Sequence, residues 1–328
     1  MFSLVLWNCK PIWYGLKQGK GQLNVVWKAK PIQKYLEDDS FSESDKEKLR
    51  IVENIKKFAY DSLGLIKTKN YQKMYDQKGK PGMYVVTACE PFALNSYQWK
   101  FPLLGYFSYK GYFNKKSAQK EAKRILEKGY DVDIGEVNAW STLGWFKDPV
   151  MSSMLDKNVG QLARLLIHEI THGTLFVKND IAFNENLATF VGDQGAILFL
   201  KDYYGKDSKE VKEYFEFWED MEVFTDFMKL KSNELALYYN EIEGKPLEEK
   251  KTLKQQKIKE LMSGINELKL NKIGRYQKFT DYSDQLNNTF FTDFLNYRSS
   301  LKIFQNELKT DFNNDFNAYL KYLKKKYK

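Results

Sequence analysis

The sequence predicts an α+β protein, and three observations carry that prediction. Residues 83–146 hold short β-branched and aromatic runs punctuated by glycine. Residues 158–200 repeat apolar side chains at helical spacing with no proline among them. From residue 201 onward the chain keeps a helical period. At 328 residues the length suits about two domains. The pattern divides into an N-terminal segment with a helix (1–80), a catalytic-type region (81–200) and a helical C-terminal region (201–328).

The elements follow in order. Residues 10–40 mix Gly, Lys and Trp and give no readable period. A helix is expected next. Ser44 and Glu47 have capping-box spacing, Val52, Ile55, Ala59 and Leu63 form an apolar face, and Gly64 ends it. MYVVTAC and FPLLGYFSYKGYF read as strands. A short helix starts after Asn114, shows Ala118, Ala122 and Ile125 on one face, and stops at Gly129. Residues 131–146 return to strand character. Two helices close the chain, one with Phe224, Phe227, Lys231, Leu235, Tyr238 and Ile242, the other with Ile258, Leu261, Ile265 and Leu268. Gly244, Lys245 and Pro246 separate them. The apolar spacing holds for too few heptads to make a coiled coil.

Composition excludes some functions. The net charge of +9 comes from 52 basic and 43 acidic residues whose signs interleave, so it does not single out nucleic acid as a partner. No stretch reaches the roughly 18–20 apolar residues of a membrane-spanning helix. The two cysteines, Cys9 and Cys89, are not a disulfide framework and lack ligand spacing. The run MFSLVLWNC is apolar but shorter than the roughly 7–15 residues of a signal core, and it lacks basic residues before it. Two explanations stay open for it. One is a buried strand or frayed end. The other is the end of a lipoprotein signal that starts upstream, with Cys9 lipidated and the membrane reached through that lipid. Asn8 departs from the small residue usual before such a cysteine.

The chemistry concentrates in LLIHEITHGTLFVKNDIAFNENLATF, residues 165–190. It holds both histidines of the chain, His168 and His172. They frame an H-E-x-x-H pattern. On a helix, positions i and i+4 share a face, so two imidazoles can bind one Zn²⁺ and Glu169 can reach a metal-bound water as general base. Leu162, Leu165 and Leu166 give the helix an apolar face. A catalytic zinc commonly takes three protein ligands, and the chain has no third histidine. The third is therefore expected to be a carboxylate, with Asp180, Glu185 and Asp193 as candidates. Glu185 is best placed. A second helix is expected to start near Asn184, with Ala188, Gly192 and Gly195 as a stripe of small residues that lets two helices approach closely.

HEITHGTLFVKNDIAFNENLATFVGDQG resembles the bacterial family described as predicted or putative aminopeptidases, zincin-type proteins with HExxH and a downstream Asn-Glu. Residues 105–155 and 9–32 look like the family's upstream blocks, and LNNTFFTDFLNY is similar to a C-terminal one. The resemblance implies a zincin-like core, made of a small mixed sheet, the HExxH helix and a Glu-bearing helix. It implies His168, His172 and Glu185 as ligands of one Zn²⁺, Glu169 as base, Tyr297 as a candidate oxyanion donor and a peptide as substrate. Many relatives look like lipoproteins, which places the chain in the cell envelope through Cys9, with the cytoplasm as the alternative. Two positions depart from the pattern. Trp140 stands where a tyrosine is expected. Thr189 occupies the position where an acid often orients a ligand histidine, so that role falls to Thr189, Asp180 or Asp193.

The expected reaction is hydrolysis of a peptide bond, with residues 141–146 as a candidate edge strand for the substrate. The acidic group that an aminopeptidase uses to hold a free amine is not identifiable, so endopeptidase action stays open. A different class is an envelope lipoprotein whose zinc site is structural or vestigial and serves binding or assembly. Such a site would be closed by a fourth ligand, for example Cys89 or Asp180.

Overall fold

The computed structural model describes residues 9–101, 105–137, 147–178, 180–296 and 301–327. These are mostly helical, with small sheets, so the α+β class holds. They fall into two compact units, each assembled from non-consecutive stretches of chain, where the sequence suggested consecutive segments.

One unit comprises Met1–Gly19, Met83–Val137 and Phe215–Tyr297. Its sheet has three antiparallel strands in the order Tyr109–Tyr112, Met83–Cys89, Asp131–Val137. MYVVTAC is the central strand, as expected from its β-branched content. The helix Lys115–Leu126 covers the sheet. Asn114 caps it by accepting the Ser117 N–H at 3.0 Å, and Gly129 supplies a left-handed turn at φ 86°. Ala118 and Ile125 are fully buried against Val86, Ala88 and Trp99.

Of the expected pair of late helices, the second lies in this unit and the first lies in it from Phe215 onward. Helix Lys209–Glu241 places Phe224, Leu235 and Ile242 in or beside its core, and helix Leu247–Ser263 follows Pro246. Lys231 interrupts the apolar stripe by pairing with Glu234 at 3.0 Å. The Lys254 ammonium is buried and bonds the Asp131 carboxylate and the Pro91 carbonyl. Asn288 adds a backbone N–H to the same carboxylate at 3.0 Å. A buried cation is thereby matched, as low-dielectric burial requires.

The second unit comprises Lys20–Gly82, Asn138–Tyr214 and Arg298–Lys328. Its sheet is small and mixed. Lys73–Tyr75 runs antiparallel to Lys30–Pro31 and parallel to Val150–Met151. These strands are too short for a two-residue period to show in the sequence. Its helices are Glu43–Asp61, the histidine helix Val159–His172, the glutamate helix Ile181–Tyr204, and Leu301–Thr310 with Phe316–Lys326. Phe190 of the glutamate helix stacks on Phe304 and meets Tyr319 edge-on.

Three local expectations are corrected. Glu43–Asp61 is capped by Ser42, not Ser44. The Ser42 hydroxyl accepts the Asp45 N–H at 3.1 Å and donates to the Asp45 carboxylate at 2.7 Å, so the N-cap sits two residues earlier than expected. Residues 10–40 contain a helix, Cys9–Lys28, hidden by Gly15, Gly19 and Gly21, which lower helix propensity; Pro11 stands in its first turn, where proline is tolerated. The glutamate helix starts at Ile181, three residues before the expected point, because Asp180 caps it.

Candidate metal centre

Asn158 opens the histidine helix by accepting the Gln161 N–H at 2.8 Å, and the helix ends on His172 itself. Leu162 and Leu166 are fully buried, as their spacing predicts, while Leu165 is half-buried. Residues 173–180 connect it to the glutamate helix. Such a short connection returns the chain antiparallel, and the two helices meet in regular rungs. His172 faces Glu185, His168 faces Thr189, and Arg164 faces Asp193. Each rung is four residues up one helix and four down the other.

The close approach has a steric cause. A Cβ on Gly192 would stand 2.8 Å from the Arg164 carbonyl oxygen and 3.1 Å from the His168 Cβ. A Cβ on Gly195 would stand 2.9 Å from Ile167 Cγ2. The small residues of the stripe therefore allow the contact they were expected to allow.

Three side chains converge at the end of this pair. The His168 and His172 Nε2 atoms are 3.2 Å apart. Glu185 Oε2 is 3.4 Å from His168 Nε2, and Oε1 is 3.5 Å from His172 Nε2. Among the described residues, this is the set of three that could hold a metal ion, with ligand atoms within 4.8 Å of one another. A tetrahedral zinc with bonds of about 2.0–2.1 Å separates its ligands by about 3.3–3.4 Å. The separation of the two imidazole nitrogens is close to that edge length, and each carboxylate oxygen lies at a similar distance from one of them, so the donor set could hold a metal ion such as zinc.

Electrostatics agree. Burial, helped by the neighbouring His168, lowers the His172 pKa to about 4, which leaves a neutral imidazole with a lone pair to offer. Burial raises the Glu185 pKa, but the hydrogen bond with His168 and the electrostatic pull of both imidazoles as they gain protons in acid outweigh it and hold the carboxyl below its ordinary range. The Glu185 side chain is 50% exposed while that of His172 is 3% exposed, so the cluster opens to solvent on the carboxylate side.

The other expected residues are placed as follows. Glu169 is half-buried on the histidine helix, next in sequence after His168. Thr189 Oγ1 is 3.4 Å from His168 Nδ1, where it can hold the ring while Nε2 faces the cluster. Asp193 is buried and ion-paired with Arg164, and Asp180 caps the glutamate helix through the Phe183 N–H at 3.0 Å. Neither belongs to the three-group cluster. Cys89 is buried in the central strand of the other unit. Cys9 is the first residue of helix Cys9–Lys28. Tyr297, Trp140 and residues 141–146 lie outside the described residues.

Two roles escaped the sequence reading. Asn184, expected only as the start of the second helix, precedes Glu185 and grips the interhelical connection with its carboxamide. Tyr71 is 1% exposed and has a left-handed backbone at φ 58°. Its N–H donates to the Asp148 carbonyl at 2.7 Å and its carbonyl accepts from Lys56 at 3.1 Å. Burial, then the nearby Glu169 charge, pushes its phenol far above the ordinary range. One tyrosine among 22 carries no sequence signal of this kind.

The paired helices and their converging donors define a candidate metal centre of the two-histidine, one-glutamate type. The chain belongs to the family described as "Putative aminopeptidase", whose profile matches residues 13–327. No curated protein and no solved structure matches it.

Proposed function

We propose that the protein is a zinc-dependent peptidase, and within that class an aminopeptidase. The observation that carries this is the spacing of the His168, His172 and Glu185 donors at tetrahedral zinc edges, in a chain whose family is described by peptidase activity. When bound, such an ion supplies a Lewis acid that polarises a carbonyl and acidifies water.

The chain's own residues divide the remaining work. His168 and His172 offer their imidazoles, and Thr189 steadies the His168 ring. Glu169, one residue from His168, accepts the proton of the attacking water and returns it to the leaving amine. The peptide approaches from the exposed Glu185 side. Of the described residues, three rather than four form the cluster, which supports an open catalytic site over a closed structural one. Tyr297 remains the proposed oxyanion donor.

The first experiment is elemental analysis of the purified chain beside Glu185→Ala. About one zinc per chain, lost in the variant, supports the site. Absence of metal in both after reconstitution overturns it. Comparing hydrolysis of a peptide with its N-acetylated form separates exopeptidase from endopeptidase action. A cell-envelope location through lipidated Cys9 is part of the proposal. No helix among the described residues is long and apolar enough to cross a membrane. Incorporation of labelled palmitate that disappears in Cys9→Ser tests it.

A further inference from the structure

We propose that Asn184 is a positioning residue of the metal centre, and that its side chain sets where the Glu185 carboxylate stands. The inference rests on the zinc-peptidase reading above.

Glu185 is poorly held by its own surroundings. Its side chain is half exposed, and its carboxylate meets the two imidazoles across the cluster. Three rotatable bonds separate that carboxylate from the backbone, so its position depends on where the first turn of the glutamate helix is fixed. The described residues of the connection before it, 173–178 and 180, form no helix or strand. Asp180 secures one amide, that of Phe183.

Asn184 supplies the rest. Its Oδ1 accepts the Val177 N–H at 2.7 Å, and its Nδ2 donates to the Val177 carbonyl at 2.8 Å. The side chain is buried at 3% exposure, so water does not compete for these bonds. The pair closes a ring between the connection and the first helical turn, one residue from Glu185. Only a carboxamide of this length offers one donor and one acceptor at that reach. Aspartate keeps the acceptor and loses the donor. Metal ligands tolerate errors of only about 0.2 Å, so slack in this ring reaches the metal.

The test measures metal affinity in the full chain at neutral pH, with Zn²⁺ in competition with a fluorescent chelator. Asn184→Ala should weaken Zn²⁺ binding about 10–100-fold, with Asn184→Asp in between. The same substitution is then made in Glu185→Ala, with Cu²⁺, which binds paired imidazoles more tightly, as probe. If Asn184 acts through Glu185, Cu²⁺ affinity is unchanged there. An equal loss in that background means a general structural role and overturns the proposal. Wild-type Zn²⁺ affinity in Asn184→Ala overturns it too. Should that variant not fold, Asn184→Asp carries the comparison alone. A folded wild type that binds no Zn²⁺ defeats the zinc-peptidase reading itself, and this inference with it.

Discussion

Gly192→Ala adds a single methyl group where the two site helices touch. Its Cβ would lie 2.8 Å from the Arg164 carbonyl oxygen, against ordinary contact from 3.4 Å, so the helices must part by the difference of about 0.6 Å. The neighbour is backbone and cannot rotate away. Overpacking of this kind costs about 1–3 kcal/mol. Replacing a helical glycine by alanine returns about 1 kcal/mol of propensity. The net loss of stability is therefore small, about 0–2 kcal/mol. Metal binding is the sharper readout. A displacement of about 0.6 Å between His168 and Glu185 exceeds the tolerance of about 0.2 Å for a metal site. Zinc affinity should fall about 10–100-fold, which is about 1.4–2.7 kcal/mol. The assay is Zn²⁺ competition on folded protein, with urea unfolding alongside. Gly195→Ala is the control. Its Cβ meets the Ile167 and Leu63 side chains rather than a ligand residue, so it should cost stability while leaving zinc affinity closer to wild type. Unchanged zinc affinity in Gly192→Ala would refute the idea that close helix approach sets the site.

Other outcomes follow from the same geometry. Glu169→Gln should retain zinc and lose hydrolysis, and turnover in that variant would sink the proposed base. The metal-free protein should weaken in acid. Burial beside His168 holds the folded His172 pKa at about 4, below its ordinary value, so the unfolded chain binds more protons over that window. Stability is full above about pH 6.5 and falls as pH drops toward 4, by about 3 kcal/mol at most. A urea midpoint that stays flat from pH 7 to pH 5, or the same slope in His172→Gln, counts against this. Lys254→Ala should destabilise the unit that holds strand Met83–Cys89 by about 3–5 kcal/mol, because the Asp131 carboxylate keeps its burial and loses its cation. Calorimetry showing a shift within error would mean that the pair contributes little.

The sequence by itself determined the chemistry of the candidate site. Two histidines four apart on a proline-free apolar period predict helical neighbours, and without a third histidine a carboxylate is the expected third donor. The stripe of Ala188, Gly192 and Gly195 already announced a close helix contact. Periodicity likewise gave the central strand and the helix behind Asn114, because those elements are long and regularly half-buried. Tertiary structure decided the rest. The sequence already put Glu185 first among three acids, but that Asp180 serves as a cap and Asp193 pairs with Arg164 is not a property of local sequence. The grip of Asn184 on Val177 depends on how the connection folds back, seven residues away in sequence. The assignment of the 83–137 strands to one unit and the histidine helix to another follows from burial between distant segments. Period and composition report on a residue's own face of its own element, whereas partner choice is fixed only when the whole chain has closed.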